Sequence, residues 1–454
     1  MIKIAFFSCI LVLASCLQKI VVSKDEDTKT FNKDSGFVAS PAEFYVFQKS
    51  TKRCVGRHVK STILEECSHS PNQIFQKLHA VGSYFILRAK DTNLCIVFSK
   101  QTSDRKKFSL EECAAENDQF FTSDEFELRK IPRSPKTYPR PVPKIIWTFW
   151  DKGEKALPAF NAYNVSHWRH LMGPLGYEVR IVDLVEGSPN HALTVLGGKE
   201  LLPKNWDHLE ELITTIKQNT PEVGVPPVVK SDMIRIALLS KFGGVWMDTS
   251  NVMVRSLEPI VLNPLNSNEN FSLTGYVERT YASENSTRVH NIPVDGLENW
   301  FLAAKPNSEL VEEWRRMFVK FWETHQGQSL FNHPMYKDQN IEVSRLSNPE
   351  YLNQHAALKY LLHEVPELGD EILPVDLKPW WLQERIGWTA HKLYLGIIGE
   401  KVNLETLAQE IKHEGVSMLK FASPHLFEIR EHFKTVEDYC HRPNLLKELF
   451  GHCP

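Results

Sequence analysis

Residues 230–251 read KSDMIRIALLSKFGGVWMDTSN and predict a helix, a turn and a short strand. Ser231 and Asp232 favour a helix start, and the residues that follow place an apolar face on one side of the predicted helix. A glycine pair then ends the helix, because its backbone reaches positive φ at little cost. Residues 245–247 predict a short buried strand that stops at Asp248. Ligands in α/β sheets bind beyond the carboxyl ends of strands, so Asp248 is placed where metal or phosphate chemistry would occur.

Further strands and helices surround this stretch. KIIWTFW at 144–150 and YEVRIVD at 177–183 predict strands, and residues 158–174 between them predict a helix. A strand, helix, strand unit of this length implies a right-handed crossover and a parallel sheet. Helical spacing of apolar residues recurs at 308–325 and 350–365. We therefore predict an α/β domain over 143–454 with a helical C-terminal part, preceded by a linker over 131–142 rich in Pro and basic residues.

Residues 40–130 contain an internal repeat, in which a Cys-to-Cys segment ending in LEEC is followed by Gln-x-Phe. The first copy ends in Gln73-Ile74-Phe75 and the second in Gln119-Phe120-Phe121. This resembles the ricin B-type lectin repeat of β-trefoil domains, with Phe in place of the family's Trp. A trefoil needs three units and two are visible, so the third is degenerate or absent. The resemblance implies an all-β module that either binds sugar or serves as a structural trefoil.

Length and charge set limits on the class of protein. The 454 residues are enough for two or three domains, and a net charge of −3 gives no electrostatic reason to expect nucleic acid as a partner.

The apolar run within residues 1–22 predicts a cleaved signal peptide. A signal anchor of a type II membrane protein and a bacterial lipoprotein signal are the alternatives. Residues 23–39 are polar and predict a flexible stem.

Cysteines and glycosylation sequons favour a secretory protein. Six cysteines outside the targeting segment fall into three local pairs, which suits disulfides in an oxidising compartment: Cys54, Cys67, Cys95, Cys113, Cys440 and Cys453. Three Asn-x-Ser/Thr sequons, at Asn164, Asn270 and Asn285, are predicted to lie in loops. We therefore expect a protein of the secretory pathway, in the Golgi lumen or secreted.

The opening stretch also resembles a known donor site. KSDMIRIALLSKFGGVWMDTS is similar to the DXD-containing segment of GT-A glycosyltransferases of the family 32 type, and more closely to the capsular polysaccharide synthesis protein family. PKIIWTFWDKG at 143–153 and NWFLAAKPNSELVEEW at 299–314 extend the resemblance. It implies a GT-A, Rossmann-like fold and retaining transfer of a sugar from a nucleotide-sugar donor to a glycan or glycoprotein acceptor. A catalytically inactive carbohydrate-binding protein is the alternative.

The resemblance also implies roles for individual residues. Asp232 and Arg235 would contact the nucleotide part of the donor, and Arg235 and Asp248 would be catalytic. Asp248 would bind Mn²⁺ or Mg²⁺ bridging the donor diphosphate, since both ions prefer oxygen ligands. Ser250 stands where the motif has its second aspartate, so the site either keeps the metal at lower affinity or relies on side chains such as Arg235 and Lys230.

Three further residues are expected near the donor. Trp147 and Trp150 end the first strand of the domain, where the family contacts the nucleotide base and a ring can stack on it. Asn299 matches a polar position of the family near the donor sugar. Each also has a purely structural interpretation, since most tryptophans pack in cores.

Overall fold

The structure is a computed structural model. It describes residues 42–451 except 51, 59–60, 69, 82–83, 90–91, 93, 99–107, 113–125, 132, 220–223, 279–280, 325–333, 338–340, 347, 377–389, 400–401, 414 and 422. The predicted targeting segment 1–22 and stem 23–39 lie outside these residues. Among the helices described, none is long and apolar enough to cross a membrane.

The N-terminal part is an antiparallel β-structure. Its eight strands form one sheet in the order β2-β3-β7-β6-β5-β4-β1-β8, and β1 also pairs with β2, so the pairings of β1 to β7 close into a ring. The strands are β1 Glu43–Gln48, β2 Arg53–His58, β3 Ser61–Glu65, β4 Phe75–Val81, β5 Tyr84–Ala89, β6 Leu94–Phe98, β7 Phe108–Glu112 and β8 Phe126–Lys130. An all-β module is thus confirmed for the described strands, whereas a trefoil remains a prediction.

The repeat signature has a structural role in its first copy. Gln73 is fully buried, and its Nε2 donates to Glu65 Oε1 at 2.9 Å and to the Glu66 carbonyl at 2.7 Å. Its Oε1 accepts from the Ser68 amide at 2.9 Å. Gln73 therefore fixes the loop between β3 and β4 by hydrogen bonds to two of its backbone groups. The second copy, Gln119 to Phe121, lies outside the described residues.

The disulfide predictions are confirmed where the structure describes both cysteines. Cys54 and Cys67 are bonded. Cys95 and Cys440 are also disulfide-bonded, and their expected partners, Cys113 and Cys453, lie outside the described residues.

From residue 145 onward the chain alternates strands and helices. The strands are β9 Ile145–Phe149, β10 Glu178–Val182, β11 Gly244–Met247, β12 Asn251–Met253, β13 Leu273–Val277, β14 Arg288–Val289, β15 Ile292–Pro293, β16 Leu297–Ala304, β17 Ile372–Asp376 and β18 Met418–Lys420. The helices are α1 Ala159–Met172, α2 Ala192–Leu196, α3 Leu209–Asn219, α4 Pro226–Phe242, α5 Asn263–Asn266, α6 Glu309–Thr324, α7 Pro334–Lys337, α8 Asn353–Glu364, α9 Ala390–Ile398, α10 Leu404–His413, α11 Ser423–His432, α12 Val436–His441 and α13 Leu445–Phe450.

The central sheet has six strands in the order β10-β9-β11-β16-β13-β17. β10, β9 and β11 are parallel, whereas β16 runs antiparallel between β11 and β13. The predicted β9-α1-β10 unit is confirmed, and the sheet is mixed because β16 reverses direction. Helices α4, α6 and α8 pack on one face around Trp314, Phe318 and Leu361. The domain is therefore an α/β domain, as predicted.

Helix α4 begins at Pro226, not at Ser231 as predicted. Two prolines occupy its first turn, where a missing N–H costs nothing because those amides have no intrahelical acceptor. Asp232 therefore lies inside the helix and does not cap it. Its carboxylate is available for another role.

The segment predicted as a linker is docked on the α/β domain along part of its length. Tyr138 is buried, its amide donates to the Glu269 carbonyl at 2.7 Å, and its own carbonyl accepts from Lys305 Nζ at 3.0 Å. The Val142 amide donates to Asn266 Oδ1 at 2.8 Å. These contacts hold residues 138–142 in place.

One sequon prediction is wrong. Asn164 lies within α1 with 1% of its surface exposed, and its Nδ2 donates to the Thr249 carbonyl at 3.1 Å. A buried, bonded amide is not an acceptor for a glycan in the folded protein. The sequence did not show this because Asn164 falls on the buried face of the helix. Asn270 and Asn285 lie in exposed turns, as predicted.

Candidate functional site

The glycine pair makes the turn that builds the site. Gly243 and Gly244 both have positive φ, at 67° and 98°, and a Cβ on Gly243 would lie 2.8 Å from the Ala304 carbonyl oxygen. Because the turn is sharp, β11 runs in the opposite direction to α4 and lies beside it. The strand end therefore comes near the middle of the helix, and Asp248 meets Arg235.

Arg235 is the centre of a buried network. Its Nη1 donates to Asp232 Oδ1 and, at 2.7 Å, to Gln354 Oε1, and its Nη2 donates to Asp248 Oδ1 at 3.2 Å. The guanidinium also lies over the Trp246 ring, with its Cζ 4.9 Å from the ring centroid. Only 4% of the Arg235 side chain is exposed. The structure thus brings together the three charged residues that the sequence singled out.

Gln354 joins two elements of the site and was not predicted. Its Oε1 accepts from Asn299 Nδ2 at 2.8 Å as well as from Arg235, and its Nε2 donates to the Asp232 carbonyl at 3.0 Å. Asn299, which was predicted, therefore joins the network through Gln354, and its Nδ2 also lies 3.5 Å from Asp232 Oδ1. The available signal was Asn353-Gln354-His355, three polar residues in succession at the start of a helix that continues with Ala356, Ala357 and Leu358.

Lys420 is the second residue of the site that was not predicted from the sequence. Its Nζ donates to Asp248 Oδ2 at 2.8 Å and to Ser250 Oγ at 2.7 Å. Strand β18 places it there by pairing with β12, with Lys420 opposite Asn251. Lys230, considered from the sequence as the additional cation, instead pairs with Glu210 at 2.6 Å. The cationic groups that contact Asp248 are Arg235 and Lys420.

The two carboxylates of the site have opposite pKa shifts. Burial raises the pKa of Asp232 above 3.8, against the pull of the Arg235 guanidinium. Burial acts in the same direction on Asp248, but the Lys420 ammonium and then the Arg235 guanidinium outweigh it and lower the pKa of Asp248 below 3.8. Asp248 is therefore ionised at neutral pH.

The oxygens of Asp248 and Ser250 do not fit a divalent cation. Asp248 Oδ2 and Ser250 Oγ both accept from Lys420, and Asp248 Oδ1 accepts from Arg235 and, at 3.0 Å, from Trp246 Nε1. An oxygen ligand to Mn²⁺ or Mg²⁺ needs a lone pair directed at the metal. Across the described residues, no group of three or more His, Cys, Asp or Glu side chains could hold a metal ion.

The two predicted tryptophans have different environments. Trp147 is 3% exposed, its Nε1 donates to the Gly243 carbonyl at 2.9 Å, and its ring packs on Phe242. The expectation that Trp147 stacks on a base is therefore corrected: it is a core residue. Trp150 is half-buried at the end of β9, and Arg430 Cζ lies 5.5 Å from its ring centroid.

A tyrosine lies beside this network. Tyr351 is 41% exposed. Partial burial, and then the negative charges of Asp232 and Asp248, raise its pKa to about 12. Its ring is therefore neutral at physiological pH and accessible to a ligand.

The segment that carries most of these residues is similar in sequence to a known protein family. Residues 202–337 match the sequence profile of the capsular polysaccharide synthesis protein family, a segment that includes Asp232, Arg235, Asp248 and Asn299. The chain is 29% identical over 274 residues to the glycosyltransferase afumC of Aspergillus fumigatus, covering 55% of this chain and 64% of that protein. It is 28% identical over 194 residues to the probable glycosyltransferase FCK3 of Fusarium pseudograminearum, covering 41% and 42%.

The chain spans less than two thirds of the length of these curated relatives. Among solved structures it is similar to PaToxG glycosyltransferase, with 15% identity and a TM-score of 0.25, covering 51% of this chain and 80% of that one. That score is too low to support an argument about the fold. The sequence similarities support a glycosyltransferase domain and glycosyl transfer as the class of reaction.

Proposed function

We propose that this protein transfers a sugar from a nucleotide-sugar donor to a glycan or glycoprotein acceptor. The observation that carries the proposal is the cluster of Asp232, Arg235, Asp248 and Lys420 at the carboxyl ends of β9 and β11. Ligands of α/β sheets bind at this edge. Asp232, Arg235 and Asp248 lie in the segment that matches the capsular polysaccharide synthesis family, and curated glycosyltransferases align with part of the same chain.

The charged groups of the cluster suit a diphosphate. Arg235 is held by Asp232 and Gln354, so its guanidinium is fixed in the network before a ligand arrives. Fixed charges stabilise a developing anion without the cost of reorganising at the moment of reaction. Asn299, joined to Gln354 at 2.8 Å, is available for a sugar hydroxyl. We assign Trp150 and Tyr351 to the nucleotide base, since both are aromatic, accessible and close to this edge of the sheet.

The reaction breaks the bond between the sugar C1 and the diphosphate oxygen, and the electron pair leaves on that oxygen. A new bond forms between C1 and the acceptor oxygen. The acceptor hydroxyl loses its proton to the departing diphosphate oxygen, so the described residues need not supply a general base. This route places the acceptor on the face from which the diphosphate leaves, and we propose retention of configuration.

The N-terminal strands are proposed to bind or position the acceptor glycan as a lectin-type module. The internal repeat over 40–130 is the support for this role. We place the protein in the secretory pathway, in the Golgi lumen or secreted, because Cys54, Cys95 and Cys440 are all disulfide-bonded and such bonds persist in oxidising compartments.

The alternative function is a carbohydrate-binding protein whose transferase domain is inactive. One observation favours it: the Lys420 ammonium donates hydrogen bonds to both side chains that were expected to bind the metal, Asp248 and Ser250. If the site has lost its reaction, the N-terminal module would carry the remaining function.

A donor screen separates the two functions. Purified full-length protein is incubated with UDP-sugars and GDP-mannose, and release of the nucleoside diphosphate is measured. We expect turnover of one donor, and Asp248→Ala should reduce it about 100-fold. Asp207→Ala is the matched control, since this aspartate is 60% exposed and pairs with Lys199 on the surface. If no donor is turned over and no nucleoside diphosphate binds, the protein is not a transferase.

A further inference from the structure

Lys420 occupies the position that the DXD resemblance assigns to a divalent cation. Its Nζ lies 2.8 Å from Asp248 Oδ2 and 2.7 Å from Ser250 Oγ, the two oxygens expected to bind the metal. A single ammonium group thus contacts both. Since an ammonium and a metal ion cannot share this space, the site has one cation or the other.

The fold holds Lys420 in place. In the pairing of β18 with β12, Lys420 is opposite Asn251 and Leu419 is opposite Val252. Leu419 and Phe421 on either side of it are about 1% exposed and pack in the C-terminal core. The backbone at Lys420 is therefore fixed by buried neighbours, and the ammonium is pre-positioned without waiting for a ligand.

Lys420 retains the capacity to bind an anion. An ammonium has three donors, and two of them reach Asp248 and Ser250. The third has no oxygen or nitrogen acceptor among the described residues, and Nζ lies 5.6 Å from the centroid of the Trp300 ring. The side chain is 17% exposed, as against 4% for Arg235. A phosphate oxygen can thus approach Lys420 from solvent and complete its hydrogen bonds.

We propose that Lys420 is the built-in cation of the donor site and that it takes the role of a divalent metal. This inference rests on the proposed transferase function. As the C1–oxygen bond breaks, the electron pair moves to the nucleoside diphosphate, and Lys420 and Arg235 neutralise the charge that develops there. Asp248 and Ser250 hold the ammonium in position. The protein therefore works on its donor without a divalent ion.

The test measures metal dependence and lysine dependence together. Wild-type protein, Lys420→Ala, Lys420→Arg and the control Lys434→Ala are assayed on the donor found in the screen, with EDTA and with Mn²⁺. Lys434 lies in the same C-terminal region, is 61% exposed and pairs with Glu431 on the surface. Binding of UDP and GDP in EDTA is measured by calorimetry as a readout independent of turnover.

We expect wild-type activity to stay within about twofold in EDTA. Lys420→Ala should lose about 100-fold in kcat, comparable to removing one donor to a developing anion, and should bind the nucleoside diphosphate more weakly in EDTA. Lys420→Arg should keep more activity than Lys420→Ala, because it keeps the charge, and Lys434→Ala should match wild type. Since Lys420→Arg keeps the ion pair with Asp248, it also separates loss of charge from loss of folding.

Two results overturn the inference while the transferase stands: wild-type turnover that EDTA abolishes and Mn²⁺ restores, or a Lys420→Ala protein as active as wild type. If no donor is turned over and neither UDP nor GDP binds, the transferase function and this inference fail together.

Discussion

Arg235 and Asp248 lie on either side of the Gly-Gly turn, and their side chains meet at 3.2 Å between Nη2 and Oδ1. The same guanidinium contacts Asp232 and Gln354, so it links α4, the end of β11 and α8. The planar fork of an arginine can serve several acceptors at once, which an ammonium cannot do with the same geometry. The site and the packing of these three elements therefore depend on one side chain.

Arg235→Lys should destabilise the protein and reduce activity. A lysine cannot reach Asp232, Gln354 and Asp248 together, so at least one acceptor of this buried network loses its hydrogen bond. We expect a loss of about 1–3 kcal/mol in the free energy of unfolding, as is typical when a buried acceptor is left unsatisfied. Urea denaturation measures this loss. Arg316→Lys is the control, because Arg316 is 64% exposed and exposed pairs contribute little. Equal stability of the two variants would contradict the central role of Arg235.

Asp232 should make stability depend on pH in a defined direction. Because the folded-state pKa of Asp232 is raised above 3.8, the native protein binds more protons than the unfolded chain between 3.8 and that pKa. Stability contributed by this group therefore falls as pH rises through the window and is constant above it. Asp232→Asn should remove that component, so its free energy of unfolding relative to wild type should rise with pH across the window.

Asp207→Asn is the control for this measurement. The pKa of Asp207 is lowered by its hydrogen bond to Lys199, so its titration affects stability below 3.8. The difference in free energy of unfolding between Asp207→Asn and wild type should therefore be independent of pH above 3.8. If the free energy of unfolding of Asp232→Asn relative to wild type is also independent of pH, the carboxyl of Asp232 is not buried as the structure places it.

The parts of the fold predicted from the sequence were those with local signals. The β9-α1-β10 unit and the turn at Gly243-Gly244 follow from apolar periodicity and from glycine, and Asp248 follows from its place at a strand end. The start of α4 was placed too late, because Ser231 and Asp232 are residue types common at helix starts, whereas the helix begins at Pro226. Prolines in the first helical turn are equally compatible with a helix.

Residues that enter the site from distant segments were not predicted. Lys420 is separated from Asp248 by 172 positions, and β18 has only three residues, too few for a periodic signal. Its role arises from the pairing with β12, which a single sequence does not reveal. Gln354 reaches Arg235 across 119 positions for the same reason. The environment of Trp147 likewise depends on the path of α4 over β9.

Trp150 and Trp147 should give different phenotypes. If Trp150 stacks on the donor base, Trp150→Ala should raise KM for the donor about tenfold with little change in stability, since stacking on an aromatic ring contributes about 1–3 kcal/mol. Trp147→Phe removes the hydrogen bond to the Gly243 carbonyl, so it should lower the free energy of unfolding by about 1–3 kcal/mol and leave KM unchanged. Steady-state kinetics and urea denaturation of both variants test this, and an unchanged KM in Trp150→Ala would remove the ring from the donor site.

Gly243→Ala should show that the turn between α4 and β11 requires glycine. Gly243 has φ of 67°, and an added Cβ would lie 2.8 Å from the Ala304 carbonyl oxygen and 2.9 Å from the Pro306 nitrogen. Both neighbours are backbone atoms, so relief of the clash requires β16 or α4 to move, at a cost of about 1–3 kcal/mol. Gly187→Ala is the matched control, since φ there is also positive, at 76°, but an added Cβ meets no atom within 4 Å. That variant should lose only the cost of a left-handed alanine, about 1 kcal/mol. Because the turn also sets the distance between Arg235 and Asp248, Gly243→Ala should lose activity along with stability, whereas Gly187→Ala should keep its activity. Urea denaturation and the donor assay on the two variants measure these effects, and equal behaviour of the two would mean that the Gly-Gly turn does not position the site.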